Sequence, residues 1–167
     1  MPRTLGTMLT YTTYGKWLRG DARRWVAKGA VMAPDLALEA ADRGRLRYPP
    51  FAFPGAQRPK AGACIGRAIL EMGGQVHALH VGRWHMHFVI GYMQVPLSEI
   101  VKATKEAVRV GLGYRRAIWA AGYDKRFCFD ARSLANRIEY VRKHNLEDGL
   151  PLDPWDFIVL PSFLSER

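Results

Sequence analysis

The chain has 167 residues, 49% of them hydrophobic, which is enough to bury the core of one domain. Lys and Arg outnumber Asp and Glu by 25 to 15, giving a formal net charge of +10. This excess predicts an anionic partner, with nucleic acid ranked first and an acidic membrane surface second. The alternative without a specific anionic partner is a well-solvated or ribosomal protein. The two cysteines, Cys64 and Cys128, form no C-x-x-C pair, which argues against a disulfide framework or a cysteine zinc site.

The hydropathy pattern bears on location and domain organisation. No apolar run of signal-peptide length opens the sequence, and none reaches the roughly 18 residues of a membrane span. We therefore expect a cytoplasmic protein without membrane contact. We also expect a single domain over residues 1–167, with an irregular insertion at about 16–59 and a short C-terminal tail at about 151–167.

The first predicted element is a strand over 6–14, because this stretch is rich in Thr and Tyr and ends at Gly15. The following region is rich in proline, arginine and tryptophan, and only a short helix from Pro34 to about Asp42 is indicated there. A helix over about 59–72 comes next, stopped by glycines at 73 and 74. Glycines within it are predicted to allow close packing.

The runs 75–81 and 84–92 are rich in β-forming residues and separated by Gly82 and Arg83, which predicts two antiparallel strands joined by a tight turn. Three further elements follow: a helix over 97–112, a strand over 118–129 around a turn at Gly122, and a helix over 131–144 with Asp130 as its N-cap. This order of elements predicts an α+β domain with an antiparallel sheet backed by helices.

Two histidines lie on the predicted strand 84–92, separated by one residue. Side chains alternate along a strand, so His85 and His87 point to the same face. Neutral imidazole is the commonest protein metal ligand, and one interpretation is therefore a metal site. The competing interpretation is two polar residues on a solvated face. The histidines of the preceding strand, His77 and His80, alternate to opposite faces and are predicted to be structural.

A tyrosine and a third histidine share one face of the last predicted helix, because Tyr140 and His144 are four residues apart. If His144 completes a three-ligand site with His85 and His87, the Tyr140 hydroxyl lies within a turn of the metal. A nearby cation favours the phenolate form of a phenol whose ordinary pKa is about 10. The alternative is that Tyr140 packs as an amphipathic side chain beside the apolar residues of its helix.

Two sets of basic residues are predicted to bind DNA phosphates. One lies on the helix 97–112 and the other flanks the tyrosine; they are Lys102, Lys105 and Arg109, and Arg137, Arg142 and Lys143. Four tryptophans are candidate stacking platforms for unpaired bases, although most are also compatible with core positions. These are Trp17, Trp25, Trp84 and Trp119.

Four blocks of the sequence resemble the HUH-type single-tyrosine transposases, close to the REP-associated tyrosine transposases. They are LTYTTYGKWLRGDARRWV, HALHVGRWHMHFVIG, IWAAGYDKRFCFDARSLANRIEYVRKHN and the helix exit HNLEDGL. The resemblance implies a ferredoxin-like or RRM-like core, with a catalytic tyrosine, Tyr140, on the last helix. It also implies a divalent metal ion, Mg or Mn, held by His85 and His87.

The resemblance further implies the reaction and the partner. Tyr140 would attack a single-stranded DNA phosphodiester and form a 5′-phosphotyrosine intermediate, and the protein would bind single-stranded or hairpin DNA as a monomer or homodimer. Relatives commonly carry Gln or Asn four residues after the tyrosine, whereas this chain has His144. An all-nitrogen site favours Mn, Co, Ni or Zn over Mg. The alternative from another class is a non-catalytic module that binds single-stranded or hairpin nucleic acid.

Overall fold

The computed structural model describes residues 3–165. The elements in this part of the chain are β1 (Gly6–Thr12), β2 (Trp25–Ala27), β3 (Ala30–Met32), α1 (Leu36–Gly44), a 3-10 turn (Gly55–Gln57), α2 (Arg58–Glu71), β4 (Val76–Val81), β5 (His85–Gly91), α3 (Leu97–Gly111), β6 (Asp124–Cys128), α4 (Ala131–Glu147) and α5 (Ser162–Ser165).

Four strands form one antiparallel sheet in the spatial order β4-β5-β1-β6. β5 pairs with β4 and β1, and β1 pairs with β6 on its other side. Helix α2 lies between β1 and β4 along the chain, and α3 lies between β5 and β6. Numbered along the chain, these strands are therefore arranged second, third, first, fourth, as in the ferredoxin-like βαββαβ fold. The predicted α+β class, with an antiparallel sheet backed by helices, is confirmed.

Side-chain alternation along β5 gives the sheet two buried faces. Met86 and Phe88 belong to a core that includes residues of α2 and α3. Val89 points the other way and packs with Ile138 and Val141 of α4. Helices α2 and α3 therefore cover one face of the sheet, and α4 covers the opposite face. Polar residues of β5 that point toward α4 are enclosed between the sheet and that helix.

The insertion contains a small hairpin that sequence reasoning missed. β2 and β3 pair antiparallel around Lys28 and Gly29, whose φ angles are 49° and 78°. Positive φ at both central residues is the geometry of the mirror-image turns that match strand twist in two-residue hairpins. The predicted helix is present as α1, and the side chain of Asp35 caps it by accepting a hydrogen bond from Leu38 N at 3.0 Å.

The segment after α4 folds back over α2. The rings of Trp155 and Phe157 lie so close to Gly62 and Gly66 that a Cβ at either glycine would collide with them. The same segment forms a parallel bridge to Val76 at the outer edge of β4. The close packing predicted for the α2 glycines is confirmed. The C-terminal tail is thus part of the packed structure over the residues described.

The structure differs from the prediction in the extent of one strand and in the number of helices after the tyrosine helix. The expected turn at Gly122 is present, with a φ of 80°, but the stretch 118–129 is a regular strand only after it, as β6. Before that turn, Trp119 forms an isolated bridge with Thr13. The expectation that the tyrosine helix is the last one is wrong, since α5 follows α4. None of the helices within residues 3–165 has the length and apolarity needed to cross a membrane.

The N-cap of α4 provides a test of the local structure. The Asp130 carboxylate accepts a hydrogen bond from Ser133 N at 2.7 Å, as part of a reciprocal capping box. Asp130→Ala is expected to lower the free energy of unfolding by about 1 kcal/mol, measured by urea denaturation. Asp130→Asn keeps a capping oxygen and should retain most of the stability. Equal losses in the two variants would contradict the capping role.

Candidate active site

Two histidines of β5 lie in the layer between the sheet and α4. His85 and His87 are on the same face, as their spacing predicted, with ring centroids 4.6 Å apart. His85 is half-buried, and His87 is buried with 8% of its surface exposed. Thr10 of β1 lies opposite His87, and its hydroxyl forms a hydrogen bond with His87 Nδ1 at 2.8 Å. The interpretation of this pair as polar residues on a solvated face is therefore wrong.

Two more histidines complete a group of four. The ring centroid of His144, on α4, lies 5.0 Å from that of His87 and 6.4 Å from that of His85. The ring centroid of His80, on β4, lies 5.3 Å from that of His144. His80 arrives there because the β4–β5 register places it opposite His87. We refer to His80, His85, His87 and His144 as the histidine cluster.

Tyr140 packs against this cluster and not against the apolar core. Its ring centroid lies 4.7 Å from that of His144 and 5.6 Å from that of His87, with both imidazoles nearly perpendicular to it. Its neighbours on α4, Ile138 and Val141, are buried, whereas Tyr140 is 43% exposed. The phenol thus has the imidazoles on one side and solvent on the other. The alternative that Tyr140 packs beside these apolar residues does not hold.

Burial keeps much of the histidine cluster neutral. Desolvation, with smaller contributions from charge on His85, His144 and His80, lowers the pKa of His87 to about 3. Desolvation also lowers the pKa values of His80 and His85 below the ordinary histidine range. At neutral pH these three imidazoles are uncharged. A neutral imidazole has one N–H donor and one nitrogen lone pair, the form that binds metal ions.

Two consecutive carboxylates at the end of α4 contact the cluster from outside. His80 Nε2 donates a hydrogen bond to Asp148 Oδ2 at 2.8 Å. His144 Nδ1 lies 3.3 Å from Glu147 Oε2. The other nitrogens of these two rings, His80 Nδ1 and His144 Nε2, are buried without a hydrogen-bond partner in the part of the chain that is described. Such carboxylate–histidine pairs are typical of the outer sphere of metal sites.

The last turn of α4 is fastened to the sheet by a buried amide. Asn145 Nδ2 donates to the carbonyl oxygens of Leu79, at 2.9 Å, and Leu152, at 3.0 Å. Asn145 has no exposed surface. Because its neighbours in sequence include His144 and the two carboxylates, this anchor fixes the end of the helix relative to β4. The position of His144 over the sheet follows from it.

The predicted metal ligands are brought together but not assembled into a coordination site. His85, His87 and His144 all belong to the cluster, and two of its buried nitrogens lack partners. Within residues 3–165, however, no group of three or more His, Cys, Asp or Glu side chains is arranged to hold a metal ion. The kind of donor fits a divalent ion. A bound ion would require the imidazoles to turn toward a common point.

The basic residues predicted on α3 lie across the sheet from the cluster. Lys102, Lys105 and Arg109 are on a helix that packs against the other face. Lys105 Nζ donates to the carbonyl oxygens of Ala120 and Gly122 at 2.9 and 2.8 Å, so it fastens the loop before β6. Arg109 is paired with a carboxylate of its own helix. Lys102 is the most exposed of the three.

The basic residues of α4 lie closer to the cluster but differ in side-chain exposure and ion pairing. Arg142 is paired with Glu139 at 2.8 Å and with Asp153 at 2.9 Å, and only 16% of its side chain is exposed. The Lys143 side chain is 75% exposed. Arg137 is half-buried one turn before the tyrosine. Lys143 is thus the most open of the predicted α4 cations, whereas Arg142 is held by internal ion pairs.

Among the predicted stacking platforms, Trp84 adjoins the cluster along the chain. It directly precedes His85 and is 36% exposed. Lys16 Nζ lies 4.4 Å from the centre of the Trp84 ring, and Arg83 Cζ lies 5.0 Å from it. Trp119, in contrast, packs against the core and donates from Nε1 to a carbonyl of α3. An exposed aromatic ring beside two cations suits contact with unpaired nucleotides.

Comparison with solved structures shows the same fold in a REP-associated tyrosine transposase bound to a REP hairpin. The match covers 93% of this chain and 76% of that one, with a TM-score of 0.56 and 12% sequence identity. A candidate transposase from Deinococcus radiodurans R1 gives a TM-score of 0.45 at 16% identity, covering 89% of this chain and 93% of the other. No family model matches the sequence, and no curated protein matches it significantly. At 12% identity, the similarity to the hairpin-bound transposase shows that the two chains share a fold.

Proposed function

We propose that this chain cuts and rejoins single-stranded DNA through Tyr140, as a transposase-type strand transferase. The observation that carries the proposal is the placement of Tyr140 against His87 and His144, with ring centroids 5.6 and 4.7 Å away. A solvent-accessible phenol beside buried imidazoles suits a nucleophile at the edge of a site. The fold shared with a REP-associated tyrosine transposase supports the same reading.

The proposed reaction exchanges one phosphodiester for another. The Tyr140 oxygen attacks the phosphorus, its proton is lost, and a bond forms between the tyrosine oxygen and the phosphorus. The bond from phosphorus to the 3′ oxygen of the preceding nucleotide breaks, and that oxygen takes up a proton to become a 3′-hydroxyl. The products are a 5′-phosphotyrosine link and a free 3′ end. Attack by a 3′-hydroxyl on the phosphotyrosine reverses the step and rejoins DNA without an external energy source.

A divalent metal ion is part of the proposal, with His85, His87 and His144 as the residues that would hold it. When bound, such an ion polarises a phosphate oxygen and favours the phenolate form of the tyrosine. The neutral state of the buried imidazoles and the unpartnered nitrogen of His144 support this role. Mg and Mn are the ions expected from the resemblance, and an all-imidazole set also suits Co, Ni or Zn.

Single-stranded or hairpin DNA is the proposed substrate. The net charge of +10 supports binding to a polyanion. The transposase of the same fold was solved bound to a REP hairpin. Near the cluster, the exposure of Lys143 and Trp84 supports a phosphate contact by the former and stacking on an unpaired base by the latter, with half-buried Arg137 as a further proposed phosphate contact. Lys102 would contact DNA only if the strand also passes over the α3 side of the sheet.

The rival function, a non-catalytic binding module of the RRM type, fits the structure less well. RRM modules bind RNA on an open sheet face that carries aromatic residues. Here α2 and α3 cover one face, and α4 covers the other. The face toward α4 carries buried histidines in place of exposed aromatic rings. The sheet itself is therefore not a free surface for nucleotides.

The two functions are separated by covalent chemistry. Incubation with end-labelled single-stranded and hairpin oligonucleotides and Mn²⁺ is expected to give a protein–DNA adduct that survives denaturing electrophoresis, together with a product bearing a 3′-hydroxyl. A library of random oligonucleotides serves as the substrate pool, because the sequence preference is not specified by the site. If every protein–DNA complex dissociates in denaturant with each metal tested, the result would favour the binding module.

A further inference from the structure

We propose that His80 is a fourth metal-binding imidazole of this site, held by Asp148 as its outer carboxylate. The inference rests on the proposed function, since it concerns the same divalent ion. His80 was predicted to be structural, like His77, because the two alternate to opposite faces of their strand. The structure gives it a different environment from that of His77, the other histidine of β4.

The position of His80 makes it a full member of the cluster. Its ring centroid lies 5.3 Å from that of His144, 6.3 Å from that of His87 and 6.4 Å from that of His85. These separations overlap the range of 4.6 to 6.4 Å found among the three ligands proposed above. His80 is also buried, with 4% of its surface exposed. It therefore faces the other imidazoles and not solvent.

The hydrogen bond to Asp148 determines which nitrogen of His80 is available. A carboxylate only accepts hydrogen bonds, so the Nε2 atom that lies 2.8 Å from Asp148 Oδ2 carries the proton. In the neutral ring, Nδ1 then holds the lone pair. Metal-binding histidines commonly use one nitrogen for the ion and give the other N–H to a carboxylate. His80 and Asp148 have this arrangement.

The lone-pair nitrogen has no other partner. His80 Nδ1 is buried and makes no hydrogen bond within the described part of the chain. A Cβ placed on Gly82 would lie 3.1 Å from His80 Cε1 and 3.8 Å from Nδ1, so glycine at this position avoids crowding this edge of the ring. Buried polar atoms are rarely left unsatisfied, and a bound ion is one of the accepted reasons. His144 Nε2 is in the same condition.

A fourth imidazole strengthens the preference of the site for metals that bind nitrogen. Nitrogen donors favour Co, Ni and Zn, whereas Mg prefers oxygen ligands and keeps much of its water. Within residues 3–165 no group of three or more such donors is arranged for a metal, so the four imidazoles would have to turn toward a common point to bind one. We therefore expect the chain to bind Co²⁺ more tightly than Mg²⁺.

The test is Co²⁺ binding by the full-length protein stripped of metal, followed by visible absorption and calorimetric titration. His80→Ala and the bulkier His80→Gln are compared with wild type. We expect each substitution to weaken Co²⁺ binding by about 10- to 100-fold and to change the visible bands. The matched control is His77→Ala, because His77 is on the same strand and similarly buried but forms its hydrogen bond with Val159 O, at 2.6 Å.

A second readout reports ligation directly. Imidazole N–H protons of Co²⁺-bound histidines give strongly shifted proton resonances, and the His80 N–H is protected from exchange by Asp148. Both His80 variants should show one shifted N–H resonance fewer than wild type, while His77→Ala should show the full set. A merely structural role of His80 would not produce this difference. If the alanine variant fails to fold, the bulkier glutamine variant still provides the test.

The outcomes distinguish this inference from the proposed function. Wild-type affinity and an unchanged set of shifted resonances in His80→Gln overturn the fourth ligand while leaving a site of His85, His87 and His144. Equal weakening in His77→Ala also overturns it, because the effect would then come from packing of β4. Absence of Co²⁺ binding in wild type would overturn both the inference and the metal part of the proposed function, whereas adduct formation tests the tyrosine chemistry separately.

Discussion

Tyr140→Phe is expected to abolish adduct formation and cleavage, with a loss of at least about 1,000-fold, because only the hydroxyl makes the covalent bond. The ring that contacts His87 and His144 remains, so the fold, metal affinity and affinity for single-stranded DNA should stay close to wild type. Cleavage is measured with a labelled oligonucleotide in denaturing gels, and binding by fluorescence anisotropy.

A matched control for this variant is Tyr92→Phe, since Tyr92 is also exposed and follows β5 away from the cluster. It should cleave as wild type does. Cleavage by Tyr140→Phe at the wild-type rate would contradict the tyrosine mechanism, whether or not cleavage depends on a metal ion. A loss of DNA binding together with cleavage would instead place Tyr140 among the residues that hold the substrate.

His85→Ala is expected to remove most metal-dependent cleavage by weakening metal affinity on the order of 100-fold, while binding to single-stranded DNA without metal is retained. His85 is the half-buried member of the pair on β5, so its removal disturbs packing less than removal of buried His87, for which the same loss is expected. The measurement is cleavage rate as a function of Mn²⁺ concentration.

The metal titration separates this phenotype from that of the tyrosine variant. Higher Mn²⁺ should restore part of the activity of His85→Ala, because its defect is in affinity, and should restore none to Tyr140→Phe. As a finer control, His144→Gln keeps a ligand at that position and should retain cleavage with a shift toward harder ions. Full activity of His85→Ala at low Mn²⁺ would remove His85 from the ligand set.

The sequence predicts best the elements whose apolar residues repeat at strand or helix spacing and pack against the sheet. β5 and α4 follow the expected pattern, because alternate residues of β5 and the apolar stripe of α4 meet in one core. The β2–β3 hairpin was missed because its turn uses Lys28 with Gly29 in place of the usual Asn-Gly or Asp-Gly. The turn at Gly122 was predicted, but only the residues after it form a regular strand, so β6 is shorter than the β-rich run.

The candidate site was predictable where local spacing determines geometry. His85 with His87, and Tyr140 with His144, share a face because of the strand and helix repeats alone. His80 was not found because its contact depends on the hairpin register, although a tight turn at Gly82 would place it opposite His87. The separation of α3 from the cluster depends on which face each helix covers, and composition carries no signal for that choice.

The anchor formed by Asn145 has a consequence for motion. Helix ends open more easily than helix centres, and local opening occurs at a fraction of the free energy of global unfolding. His144 of the cluster and its neighbour Glu147 belong to the final turn of α4, the part of a helix most prone to fraying, and Asp148 follows directly. By tying that turn to Leu79 and Leu152, the buried amide raises the local opening free energy just there. Amide hydrogen exchange in this turn should be slower than in the last turn of α1, which buries no residue.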